Sequence, residues 1–108
     1  MVADIKSIQL WVSAGLSVTE GTAPERACQA LLQLAAQTQQ EPGCLRFELL
    51  QHQQSGRFTL WEGWVNESAL QAHYEAEHTQ AYFAQALTEV SYLERLQPPM
   101  TGPQEGVR

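Results

Sequence analysis

Basic residues are scarce in this chain: 6 Lys and Arg stand against 12 Asp and Glu, a net charge of −6 with the histidines neutral. An acidic surface repels a phosphate backbone, and no basic stripe offsets that repulsion, so a nucleic-acid partner is not expected. Long apolar runs are missing too. Uninterrupted apolar stretches span a few residues, against the roughly 20 that a membrane-crossing helix needs, and no membrane partner is expected. Near the start, Asp4, Lys6, Ser7 and Gln9 break up any apolar segment of the secretory kind, which points to the cytoplasm. Cysteine occurs twice, as Cys28 and Cys44, in neither a CxxC nor a zinc spacing. Both read as small apolar fillers in a reducing compartment. The chain also lacks a GxGxxG, a P-loop and a GxSxG, which leaves nicotinamide, nucleotide and serine-hydrolase chemistry without support.

What is present is a 108-residue chain, 44% hydrophobic, whose apolar residues are spread along its length. That describes one globular domain, taken as residues 1–99, with a mobile tail over 100–108 where Gly, Pro and charge lose all periodicity. Alternation over Asp4 to Ser13 predicts a strand with Ile8, Leu10 and Val12 on one face and Trp11 on the other. Ala14 to Gly21 reads as a loop. Thr22, Pro24 and Glu25 form a helix start of the capping-box type, and Ala27, Leu31, Leu34 and Ala35 then recur at helical spacing. Glu41-Pro42-Gly43 ends that helix. Two alternating runs, Cys44 to Gln51 and Arg57 to Val65, predict an antiparallel hairpin. Asn66 caps a short helix reaching about Tyr74, a second runs from about Thr79 to Val90, and Tyr92 to Gln97 is a short strand. The order is βαββαβ: an α+β, ferredoxin-like fold with a four-stranded antiparallel sheet and helices on one face. Apolar groups on both faces of the first and third strands predict that the bare face meets a second subunit.

Glu62 shares a strand face with Phe58, Leu60 and Trp64. An acid in such company either ion-pairs with Arg46 or Arg57, or accepts a hydrogen bond with a raised pKa. Tyr82, Phe83 and Leu87 have the spacing of a helical lining. His73 and His78, five apart, would sit about 140° apart on a continuous helix, a poor arrangement for a metal pair. His52 falls in the hairpin turn and is expected to face solvent.

The run Glu41-Pro-Gly-Cys-Leu45, then Phe58-Thr-Leu-Trp-Glu-Gly-Trp64, then Ser68-Ala-Leu-Gln-Ala-His73, with His78 and Tyr82-Phe83 beyond, resembles the antibiotic biosynthesis monooxygenase domain over about residues 4–97. The resemblance implies a dimeric α+β barrel, hence a homodimer. Its members include quinol monooxygenases and anthrone-oxidising enzymes, haem-degrading enzymes, and isomerases of a phosphorylated signalling sugar derivative. For the oxygenases of aromatic substrates it implies no metal and no cofactor, since a phenolate-type substrate supplies electrons to oxygen itself. The expected function is therefore cofactor-independent oxidation of a small phenol or quinol with O2, in which the protein binds an aromatic, helps remove its proton and excludes water. His73, at the family's usual histidine position, becomes the candidate base and Glu62 its partner. Trp64, Phe83, Tyr82, His78, Phe47 and Trp11 are the candidate substrate contacts.

Departures from the family narrow the choice. Gln9, His73 and Phe83 fall near the positions where haem-degrading members use Asn, Trp and a His ligand, so haem chemistry is not expected. Leu60 and Leu70 stand where anthrone-type members are polar. Arg46-Phe47 and Arg57-Phe58 are similar to the isomerases and keep that alternative open, beside a non-catalytic binding or stress-response protein on the same fold.

Overall fold

The computed structural model describes residues 8–54 and 56–100. Within them the order is β1 (Leu10–Val18), α1 (Pro24–Thr38), β2 (Cys44–Gln51), β3 (Arg57–Trp64), α2 (Glu67–Glu75), α3 (Glu77–Ala84) and β4 (Thr88–Leu96). The four strands form one antiparallel sheet in the order β2-β3-β1-β4. This is the expected α+β, ferredoxin-like βαββαβ arrangement. The expected mobile tail lies outside the described residues beyond Met100, as does the strand expected over residues 4–7.

Alternation sets the faces. Val12, Ala14 and Leu16 of β1, Phe47 of β2, and Phe58, Leu60 and Trp64 of β3 are buried toward the helices. From α1 they meet Ala27, Leu31, Leu34 and Ala35, the face its helical spacing predicts. On the opposite face Trp11 stacks on Trp61 with centroids 4.9 Å apart, and Tyr92 shares a 3.1 Å hydrogen bond with Ser13. Ile8 folds over this side against Gly63 rather than continuing the Val12 face; a Cβ on Gly63 would lie 2.6 Å from its Cδ1.

The element boundaries differ from expectation at three places. Ala14 to Val18 is strand, not loop, because β3 and β4 pair with it on both sides; two ladders outweigh the weak strand propensity of Ala and Gly. The α1 cap is Ala23 rather than Thr22, and no side chain caps it. Pro24 holds the residue before it extended (Ala23 ψ 134°), and Thr22 is turned aside to bond Thr19 Oγ1 at 2.8 Å. Finally, α3 stops at Ala84, not Val90, and β4 starts at Thr88. Ala86 takes φ +53°, a left-handed helix stop made without the usual glycine.

The turn from α1 to β2 is the most constrained. Gly43 has φ +86°, its carbonyl accepts from Val65 N at 2.9 Å, and a Cβ there would lie 2.6 Å from Ala69 Cβ. Gly43→Ala combines left-handed strain with a clash against α2, so a loss of about 2–4 kcal/mol is expected in urea unfolding.

Candidate active site

Four elements converge where the helices leave the sheet uncovered beside β4. Glu41 sits in the α1–β2 turn, its N–H bonded to the Thr38 carbonyl at 2.9 Å. Glu62 and Trp64 end β3. His73 is in the last turn of α2, which Asn66 starts by accepting from Ala69 N at 2.9 Å. At Ala76 (ψ 146°) the chain leaves helical geometry before α3 begins, and this break redirects His78 toward His73.

Both imidazoles meet one carboxylate oxygen. Glu41 Oε2 accepts from His73 Nδ1 at 2.9 Å and from His78 Nε2 at 2.5 Å. A carboxylate offers acceptors only, so the hydrogens reside on His73 Nδ1 and His78 Nε2. Thr79 Oγ1 stands a further 3.3 Å from His73 Nδ1. His73 is 4% exposed as a residue, its ring tilted against Trp64 at 4.9 Å and Phe47 at 5.5 Å. Burial lowers its pKa below the ordinary 6.5, and Glu41 opposes that shift through its hydrogen bond and charge. His73 is thus neutral at pH 7, with Nε2 free of any protein hydrogen bond among the described residues.

Glu62, 4% exposed, accepts from Trp64 Nε1 at 2.9 Å. Desolvation pushes its carboxyl up to about 7; the Trp64 hydrogen bond pulls the other way and the Glu41 charge adds to the rise. The ion pair expected with Arg46 or Arg57 does not form. Arg46 is on the opposite sheet face paired with Glu48, and Arg57 bonds Gln54 at 3.2 Å. Cys44 is pushed up to about 12 by burial and then by Glu41 and Glu62, which leaves it a protonated, unreactive thiol.

A cavity of about 100 Å³ opens here, lined by Ala14, Leu16, Leu34 and Leu60 of the core, by Glu62, His73, Tyr74 and Thr79, and by Tyr82, Phe83, Thr88, Val90 and Leu93 toward β4. Phe83, Val90 and Leu93 are about half exposed, so the apolar mouth faces solvent between α3 and β4.

The sequence-derived candidates separate accordingly. His73, Glu62, Tyr82 and Phe83 line one cavity. Trp64 and Phe47 are fully buried behind it, packed on the His73 ring. Leu87 is buried in the α3–β4 connection, not on a helix. His78 touches the site through Glu41 and faces a separate surface depression with Gln33, Gln37 and Gln85. Trp11 is on the other side of the sheet and does not reach the cavity. His52 is not free in solvent but bonds Thr59 at 2.9 Å. The partner of His73 is Glu41, not Glu62. In the sequence Glu41 reads only as a helix stop; its place in the motif closing α1 is the signal that could have found it. The 140° separation of His73 and His78 does not apply, because their helix is interrupted at Ala76.

Comparison with known proteins agrees with this architecture. The protein YjcS of Bacillus subtilis is 31% identical over 84 residues, covering 77% of this chain and 80% of its own length. The crystal structure of PA3566 from Pseudomonas aeruginosa superposes with a TM-score of 0.77 at 27% identity, over 86% of this chain and 96% of that one. SnoaB, a cofactor-independent oxygenase from Streptomyces nogalater, has the same fold, with a TM-score of 0.75 at 16% identity over 90% and 99% of the two chains. Residues 10–85, from the start of β1 to the residue after α3, match the family model for antibiotic biosynthesis monooxygenases, and the chain belongs to that family.

Proposed function

We propose that this protein is a cofactor-independent monooxygenase that oxidises a single-ring phenol or quinol with O2, working as a homodimer. The observation that carries the reading is a neutral, buried imidazole, anchored through Nδ1 by Glu41, on the wall of an apolar cavity. A carboxylate that fixes one ring nitrogen as donor leaves the other as the proton acceptor. His73 Nε2 takes the substrate's phenolic proton, and the resulting phenolate is electron-rich enough to reduce O2 directly. One oxygen atom bonds to a ring carbon, and the other leaves as water with two hydrogens given up by the substrate. A quinol and O2 thus become a hydroxyquinone and water, the four electrons that O2 takes all coming from the ring. Glu62, titrating near 7, bonds the substrate's second hydroxyl.

Cavity size supports the single ring. Pockets for drug-sized ligands usually measure about 300–1,000 Å³, and benzene fits an engineered void of about 150 Å³. At about 100 Å³ the site is smaller than that void, so a single ring is its upper limit, and part of that ring would sit in the open mouth beside Phe83. The dimer reading rests on the open sheet face, where Trp11, Trp61 and Tyr92 present aromatic surface on the side away from the helices.

Isotope labelling tests the reaction. With 18O2 and anaerobically reduced single-ring quinols, the product is expected to gain one labelled oxygen per molecule. Saturable quenching of Trp fluorescence by these compounds with no labelled product would instead identify a binding protein. The isomerase alternative loses ground because Arg46 is on the sheet face opposite the cavity, tied to Glu48.

A further inference from the structure

The carboxylate between two imidazoles is also a ligand set. Glu41 Oε2, His73 Nδ1 and His78 Nε2 all lie within 4.8 Å of one another, on the α1–β2 turn, the end of α2 and the start of α3. We propose that these atoms form a binding site for a borderline divalent ion of the Zn2+ class, and that the bound ion switches the proton on His73 from Nδ1 to Nε2.

Two imidazole nitrogens with one carboxylate oxygen suit Zn2+, Co2+ or Ni2+ and disfavour Mg2+ and Ca2+, which prefer all-oxygen shells. Three protein ligands leave a fourth position for water. The side chains are withdrawn from solvent, 12% exposed for Glu41, 5% for His73 and 20% for His78. An entry route exists as well, because His78 lines the surface depression formed with Gln33, Gln37 and Gln85. Ligand bonds of roughly 2.0–2.1 Å in a tetrahedron place ligand atoms about 3.3 Å apart. The two separations to Glu41, 2.9 and 2.5 Å, must therefore widen by less than an ångström, while the two imidazole nitrogens, within 4.8 Å of each other, must draw together by up to about 1.5 Å. His78, the most exposed of the three and in the first turn of α3, is placed to make that adjustment.

The ion cannot share Nδ1 with a hydrogen. A neutral His73 ligated through Nδ1 carries its proton on Nε2, so the nitrogen that accepts protons in the free protein becomes a donor. The ion would then silence the base rather than assist it. That consequence for turnover rests on the proposed function; binding and the proton's position do not.

The test uses the full chain, stripped with EDTA and dialysed. ZnCl2 titrated in a calorimeter is expected to bind one ion per chain, with MgCl2 giving no heat of binding. Glu41→Gln and His78→Ala should each weaken Zn2+ binding at least tenfold, and His78→Gln, which preserves side-chain bulk, guards against a folding artefact. Imidazole 15N spectra should show the His73 hydrogen on Nδ1 without the ion and on Nε2 with it. Absence of saturable Zn2+ binding, unchanged affinity in the variants, or an unmoved His73 hydrogen would each overturn the proposal.

Discussion

His73→Ala is expected to lower kcat for quinol oxidation about 10²–10⁴-fold, the range a positioned general base contributes, while leaving the fold intact. The ring packs against Trp64 and Phe47, so its removal costs some stability, but the sheet pairing does not depend on it. Added imidazole should restore part of the rate, because the space left by the ring adjoins an open-mouthed cavity. Glu41→Gln should show a smaller loss. Its amide can orient the ring but lacks the charge that opposes the burial-driven fall in the His73 pKa, so the base becomes weaker. Steady-state oxygen uptake, with circular dichroism as the folding control, checks both variants. Turnover within a factor of about 3 of wild type in His73→Ala would remove His73 from the chemistry, since a positioned base contributes far more than that.

Glu62→Gln is expected to raise stability at alkaline pH and to do little in acid. The carboxyl moves from an ordinary 4.5 to about 7 on folding, so the folded chain binds the proton more tightly than the unfolded one. Stability associated with the protonated group is complete below pH 4.5 and is lost as pH rises through about 7. The loss amounts to about 3 kcal/mol once the buried carboxylate has ionised. The glutamine amide still accepts from Trp64 Nε1 but never ionises. The Tm difference between variant and wild type should therefore grow from near zero at pH 4.5 to on the order of 10 °C at pH 8. His73 adds a slope of opposite sign: its lowered pKa gives stability that is present above 6.5 and lost as pH falls below that value. Equal Tm values for variant and wild type at pH 8 would mean that Glu62 is solvated and has no raised pKa.

Such a carboxyl is a cost that a purely structural residue would rarely retain, since leucine would fill the same strand position. Its presence beside a buried base fits the pattern in which neighbouring titratable groups hold distinct protonation states for acid and base work.

How much of this can be read from sequence depends on whether a signal is local. The β2–β3 hairpin is legible because period-two alternation and its turn lie within one stretch, and β2 spans Cys44–Gln51 as expected. The cavity-lining pair Tyr82 and Phe83, and the neighbours Glu62 and Trp64, follow from strand and helix phase in the same way. Glu41 is not legible. Its role comes from meeting His73, 32 residues away, through a turn whose sequence already has a sufficient explanation as a helix stop. The His73–His78 juxtaposition is only half legible: the sequence indicates a break between two helices after Tyr74, but not the extended Ala76 (ψ 146°) that turns His78 toward His73. The early start of β4 is hidden by Ala86, a non-glycine residue at positive φ. In each case tertiary contact overrides local propensity, and it does so around the site.

The most direct test of the central claim is the pH dependence of kcat/KM for oxygen uptake by EDTA-treated protein with a single-ring quinol. The rate should fall on the acid side with a midpoint below 6.5, set by a buried neutral His73 that must stay unprotonated, and that limb should vanish from the residual rate of His73→Ala. A single limb near pH 7 that survives in His73→Ala and disappears in Glu62→Gln would contradict the account and transfer the base to Glu62.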